Sequence, residues 1–238
     1  MHADFTPDDA LNYTSASKEF RINVLPTHAY ITNYGSDSVS VIDTTEKTVT
    51  ATIPVGKGLS GVAVNSAGTK VYVTNSDDDT VSVIDIASNT VIATMNVGNA
   101  PEGVAVTPDG KQIYVANSGS NTTSVINIPK TAISNVGVGG NSFGIAVNPA
   151  GTEVFTTNSK SDSVSIIDTL NNYNVRRVTL DAPDKIAVSP DGTRVYATSP
   201  ERNSVYIIDT DIYPVTATVS VGKYPFGVAF GHFRDSVR

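Results

Sequence analysis

Apolar and polar positions alternate along this chain in runs of four to eight residues rich in Val, Ile, Thr and Tyr. Clusters of Gly, Pro, Asn, Asp and Ser bound each run. That is the pattern of short β-strands separated by turns. No stretch of the repeated part carries apolar residues at helical spacing over three turns, so the expectation is all-β. The runs also repeat. Tyr30-Ile31-Thr32-Asn33 returns as Tyr72-Val73-Thr74-Asn75, Tyr114-Val115-Ala116-Asn117, Phe155-Thr156-Thr157-Asn158 and Tyr196-Ala197-Thr198-Ser199, at steps of 41 or 42 residues. Three further series keep that step. One ends in Asp43, Asp85, Asn127, Asp168 and Asp209. The second starts at Gly61, Gly103, Gly144, Lys185 and Gly227. The third is a turn running from Asn65, Thr107, Asn148 or Ser189 to Gly68, Gly110, Gly151 or Gly192. A fixed step of this length is the signature of stacked structural repeats.

Each repeat reads as four strands, a to d, which in the second unit are 61–64, 71–75, 81–85 and 90–97. Strand a is apolar at nearly every position and suits burial on both faces. Strand d mixes Thr with Val and Ile and suits a half-solvated edge. The turn after strand a presets its geometry through Pro, caps itself through Asp and gives Gly the left-handed position. Four-stranded units of about 40 residues, innermost strand driest, describe the blades of a β-propeller. Strands b, c and d occur five times, whereas the last a strand, Gly227-Val228-Ala229-Phe230, stands alone after the fifth unit. The expected fold is therefore a five-bladed β-propeller of four-stranded antiparallel blades, closed by that C-terminal strand within the first blade. Closure removes exposed sheet edges. Phe20–Pro26 also alternates like a strand and competes for the same position. Residues 1–19 read as a polar N-terminal extension, a tail or short helix, and residues 20–238 as one domain.

The motifs YITN, YVTN and YVAN, with the SVSVID and GVAV-x-PDG segments that follow them, resemble the YVTN family of β-propeller repeats. Proteins of that family are archaeal and bacterial surface-layer and secreted proteins. The resemblance spans about residues 20 to 231 and implies the propeller fold and an extracellular or cell-surface setting. It implies no particular activity. The chain departs from the pattern at Asn127, at Lys185 and at Ser199-Pro200.

Composition narrows the function. The 238 residues contain no Cys, which excludes disulfides, zinc thiolates and thiol catalysis. A net charge of −7 argues against nucleic acid or an anionic membrane as partner. No run reaches the length of a membrane span, and His-Ala-Asp-Phe after Met1 reads like the start of an exported chain already processed. No metal site and no cofactor is expected, and the protein is expected to be a monomer.

The repeated Asn and Asp residues are read as turn formers. Asp77-Asp78-Asp79 has three carboxylates but lacks calcium-loop spacing, so it reads as a solvated loop. His28 and His232 are expected near each other if the ring closes. The informative positions vary within the fixed frame. In the d–a loops these are Lys57, Ser60, Glu102, Phe143, Asp184, Lys185, Tyr224 and Phe226, expected around one mouth of the central channel. Varied loops on a constant scaffold commonly build a binding site. The expected function is a non-enzymatic surface or exported module that binds a glycan or a protein there. The alternative is a polysaccharide lyase or lactonase-like enzyme, with Lys185 or Tyr224 as base and Glu102 or Asp184 orienting it.

Overall fold

The computed structural model describes residues 27–128, 130, 132–172 and 175–230, together with the backbone of two short strands near the N-terminus. Those two are β1 (His2–Phe5) and β2 (Ala16–Glu19), paired antiparallel. The N-terminal extension thus contains a two-stranded ladder in place of the expected tail or helix. Phe20–Pro26 and His232 lie outside the described residues, so the competing strand and the expected histidine pair do too.

The repeats fold into five antiparallel sheets. The first is three-stranded: β3 (His28–Asn33), β4 (Ser38–Asp43) and β5 (Thr48–Pro54). The second holds β6 (Leu59–Val64), β7 (Lys70–Asn75), β8 (Thr80–Asp85) and β9 (Thr90–Asn96). The third holds β10 (Pro101–Val106), β11 (Gln112–Asn117), β12 (Thr122–Asn127) and β13 (Ala132–Gly137). The fourth holds β14 (Ser142–Val147), β15 (Glu153–Asn158), β16 (Ser163–Asp168) and β17 (Val175–Thr179). The fifth holds β18 (Ile186–Val188), β19 (Arg194–Ser199), β20 (Ser204–Asp209) and β21 (Val215–Ser220). Successive innermost strands touch in order: β3 on β6, β6 on β10, β10 on β14, β14 on β18. The architecture is β-propeller-like and matches five blades.

Two expectations change. Strand a is not the driest. The b and c strands are, with Val71, Val73, Ile113, Val115, Val125 and Ile126 fully buried, while Val62 and Val64 of β6 stay accessible. The counterparts of Val62 and Val64 in later sheets, Val104, Val106, Ile186 and Val188, pack on the preceding sheet's cluster, whereas the sheet that precedes β6 has no a strand among the described residues to cover them. The second change concerns closure. Gly227–Phe230 forms no strand in the structure, and β3 is an edge strand among the described residues. Phe230 nevertheless packs edge-on against Tyr196, ring centroids 5.1 Å apart. That is where Val106 meets the Tyr72 cluster and Val188 the Phe155 cluster.

Each core cluster lies between two sheets. The Tyr72 face of the second sheet packs on Val104, Ile113 and Ile126 of the third, and the Phe155 face of the fourth on Ile186, Val195 and Ile208 of the fifth. The repeated Asn residues are structural, as expected, though not as simple turn formers. Asn75 Nδ2 reaches across to Thr80 Oγ1 and Ser82 Oγ, both at 2.9 Å, and Asn117 does the same to Thr122 and Ser124. The repeated Asp residues do cap the c–d turns: Asp43 Oδ1 accepts from the amides of Thr45 and Glu46, and Asp209 from those of Asp211 and Ile212. In the turn after strand a, Gly110 and Gly192 take φ +69° and +76°. There the Ser189 hydroxyl and the Thr193 amide hold the Asp191 carboxyl down at about 2.

The sheets approach most closely at the start of the a strands. Leu59 pairs with Asn75 and Val62 with Val73, so Ser60 and Gly61 together oppose Thr74 alone, a β-bulge. The same two-against-one step puts Glu102-Gly103 opposite Ala116 and Phe143-Gly144 opposite Thr157. A β-carbon on Gly61 would collide with the Glu102 carbonyl oxygen of the next sheet. On Gly103 it would lie 2.6 Å from the Phe143 carbonyl, and on Gly144 2.5 Å from that of Asp184. Glycine is needed here for closeness between sheets. Gly103→Ala is therefore expected to cost about 1–3 kcal/mol through overpacking. Gly137→Ala, with nothing within 4 Å of the new atom, should stay within about 1 kcal/mol of the parent. Urea unfolding of both variants checks this.

Candidate functional site: the channel mouth

The bulges set the direction of the residue before each glycine. Ser60, Glu102 and Phe143 occupy that position in β6, β10 and β14, and Asp184 occupies it just before β18. Because these strands are neighbours, the four residues stand side by side around one end of the central space. Ser60 Oγ donates to Glu102 Oε2 at 2.6 Å, tying the second sheet to the third. The Lys185 ammonium lies 3.8 Å from the ring centre of Phe143 and 5.1 Å from that of Phe226. Cations bind aromatic faces at such distances.

Asp184 and Lys185 bring opposite charges together just before the fifth sheet. Burial pushes the Asp184 carboxyl above the usual carboxylate range. Lys185 pulls it back, and Glu102 pushes it further up. Burial likewise lowers the Lys185 ammonium, against the pull of Asp184 and Glu102. A cavity of about 420 Å³ opens beside these groups, lined among others by Asn141, Phe143, Asp184, Glu201 and Tyr224. Tyr224 is 73% exposed and Phe226 62% exposed. Lys57 stays exposed at the rim, and its ammonium forms no ion pair among the described residues. The structure thus gathers Phe143, Asp184, Lys185 and Phe226 together, puts Tyr224 in the lining of the cavity that Phe143 and Asp184 share, and joins Ser60 to Glu102. It leaves Lys57 apart.

A second repeated device holds the loops of this mouth. In every sheet a left-handed Asp or Asn of the b–c loop accepts a hydrogen bond from the amide of a left-handed residue in the d–a loop. The pairs are Asp37 with Gly58, Asp79 with Ala100, Asn121 with Asn141, Asp162 with Ala182, and Asn203 with Tyr224. Asp79 and Asp78, which accepts from the Lys57 amide, are therefore spent on loop capping. Tyr224 is the bulkiest residue at its position, φ +54°, where Gly58 or Ala100 stands elsewhere. Bulky side chains in this region are strained, and such strain concentrates at ligand sites. The cavity also takes Ser159, Lys160, Pro200 and Glu201 from b–c loops, which sequence reasoning did not assign to the mouth. In an antiparallel sheet strands b and d end on the same side, and that was the available signal.

The half-buried Asp184 gives this site a pH signature. Its folded-state pKa is raised, so its contribution favours folding at pH below the carboxylate range and is lost as the pH rises through the raised value. Asp184→Asn should raise the thermal midpoint at pH 7, and that gain should shrink toward pH 3. Scanning calorimetry across this range checks it.

Comparisons with known proteins agree on the fold. A functionally unknown protein from Desulfotomaculum acetoxidans DSM 771 is 19% identical, with a TM-score of 0.70 over 79% of this chain and 65% of its own. The dihydro-heme d1 dehydrogenase NirN, in complex with DHE, is 16% identical, with a TM-score of 0.70 over 92% of this chain and 48% of its own. Kuenenia stuttgartiensis hydrazine synthase is 21% identical, with a TM-score of 0.52 over 83% and 84%. The chain thus spans less than two thirds of the first two of these proteins, and at such identities the likeness is one of fold. No match was found among curated proteins. Residues 26–229 match the family described as the Choice-of-anchor I domain, and the chain belongs to that family.

Proposed function

We propose that this protein is a cell-surface or exported binding module that holds a glycan at the channel mouth. Membership of the Choice-of-anchor I family supports surface association and a non-enzymatic role. The observation that carries the ligand reading is the cavity that Tyr224 and Asp184 both line. The exposed Tyr224, the half-buried Asp184 and Asn141 all line it. A sugar ring offers C–H faces to stack on the tyrosine and hydroxyls for the carboxylate and amide. Pockets that combine apolar faces with a few convergent polar groups bind in this way.

The module acts as a monomer and without a cofactor in this reading. Its ring closes when Gly227–Phe230 joins the free edge of β3, completing a fifth blade. The packing of Phe230 on Tyr196 supports that position for the segment, and the five occurrences of strands b, c and d support the five-unit count.

A glycan array with the purified chain tests the reading, each bound glycan being checked by mass spectrometry for cleavage. At least one glycan should be retained uncut, and Tyr224→Ala should weaken it about tenfold, the size of one contact worth about 1.4 kcal/mol. An empty array, or equal binding by the variant, contradicts glycan binding at the mouth. Cleavage products would replace the module with the lyase alternative.

A further inference from the structure

The junctions that follow the second, third and fourth sheets are built alike, and the one that follows the fifth differs. At three of them a bulge glycine, Gly61, Gly103 or Gly144, lets the next sheet's carbonyl come so close that a β-carbon would collide with it. Two carry a threonine relay as well. Thr74 Oγ1 accepts from the Gly61 amide and donates to the Glu102 carbonyl, both at 2.7 Å. Thr157 Oγ1 accepts from the Gly144 amide at 2.8 Å and donates to the Asp184 carbonyl at 2.5 Å. The Gly103 junction has Ala116 in that place and no relay, yet it is as close as the others. Glycine, then, is the common requirement.

The fifth sheet has Lys185 where the others have glycine. The local pattern is otherwise kept. Lys185 donates its amide to Thr198 Oγ1 at 3.0 Å, as Gly144 does to Thr157. The next carbonyl in the series is that of Phe226. Thr198 Oγ1 reaches back to the Lys185 carbonyl at 3.4 Å, as Thr74 and Thr157 do within their own sheets, but makes no bond to Phe226 among the described residues. The segment after Phe226, Gly227–Phe230, forms no strand among the described residues, unlike the strand-a segments of the four preceding junctions.

We propose that Lys185 is a built-in spacer, its β-carbon standing where the Phe226 carbonyl would have to come for the Gly227 end of the segment to close on the fifth sheet as Glu102-Gly103 closes on the second, while Phe230 at the other end packs on Tyr196. The last junction is therefore the loose one. The rest of the side chain turns over the mouth, where its ammonium faces the rings of Phe143 and Phe226. This places the point at which the arc of sheets opens beside the cavity that Tyr224 lines, two residues after the loop that Asn203 caps at Tyr224.

Hydrogen–deuterium exchange on the whole chain tests this, comparing the parent with Lys185→Gly and Lys185→Ala, which differ from each other by one β-carbon. Lys185→Gly is expected to slow exchange at residues 227–230 at least tenfold, and Lys185→Ala to stay within threefold of the parent. Gly144→Ala places the same atom at a tight junction and should speed exchange at Ile186–Val188. No slowing in Lys185→Gly overturns the proposal. Equal slowing in Lys185→Ala overturns it too, because the charge and not the β-carbon would then be holding the segment away.

Discussion

The close approach of one sheet's carbonyl to the neighbouring sheet's bulge glycine is the contact on which the other features of this fold depend. A β-sheet buries both faces only if something packs on each, and here that something is the next copy of the same sheet. The clusters around Tyr72, Tyr114 and Phe155 supply the apolar area. Apolar packing alone sets no fixed spacing, and the backbone contact does. Gly103 under the Phe143 carbonyl and Gly144 under the Asp184 carbonyl fix how near two sheets stand and how one is rotated on the next.

Function follows from the same feature. A bulge sets two residues against one, so the glycine that permits the contact and the residue before it leave the regular alternation together. Ser60, Glu102 and Phe143 are those preceding residues, and Asp184 stands at the equivalent position before Lys185. Their identity is free to vary, because the scaffold's needs are met by glycine, by Thr74 and Thr157, and by the Asx residues that cap the d–a loops. A serine–glutamate pair on one side and an aromatic–lysine–carboxylate group on the other are thus carried on almost the same backbone. Desolvation beside this group raises Asp184 and lowers Lys185, so both sit in less water than a surface charge would.

Much of this could be read from residue order. The 41- or 42-residue step, the left-handed glycines of the turns and the Asp caps of the c–d turns follow from local chemistry that each repeat states anew. The variable positions stood out because everything around them was constant. What stayed hidden depends on contacts between repeats. Thr74 and Thr157 look like ordinary strand threonines until the next sheet's carbonyl is in place. The buried b and c strands carry the polar Thr, Ser and Asn residues that made strand a look drier. The Lys185 departure was visible as a letter, but its consequence for Gly227–Phe230 needed the distances at the other three junctions.

Thr157 offers the most direct test that contacts between sheets, and not each sheet alone, hold the molecule together. Its hydroxyl bridges the Gly144 amide and the Asp184 carbonyl of the next sheet in a fully buried place. Thr157→Val keeps the shape and removes the bridge, leaving both groups unpaired at a cost of about 1–3 kcal/mol. Urea unfolding followed by exchange at the Gly144 amide should show that loss of stability together with faster local exchange. Unchanged stability and unchanged exchange would contradict the account.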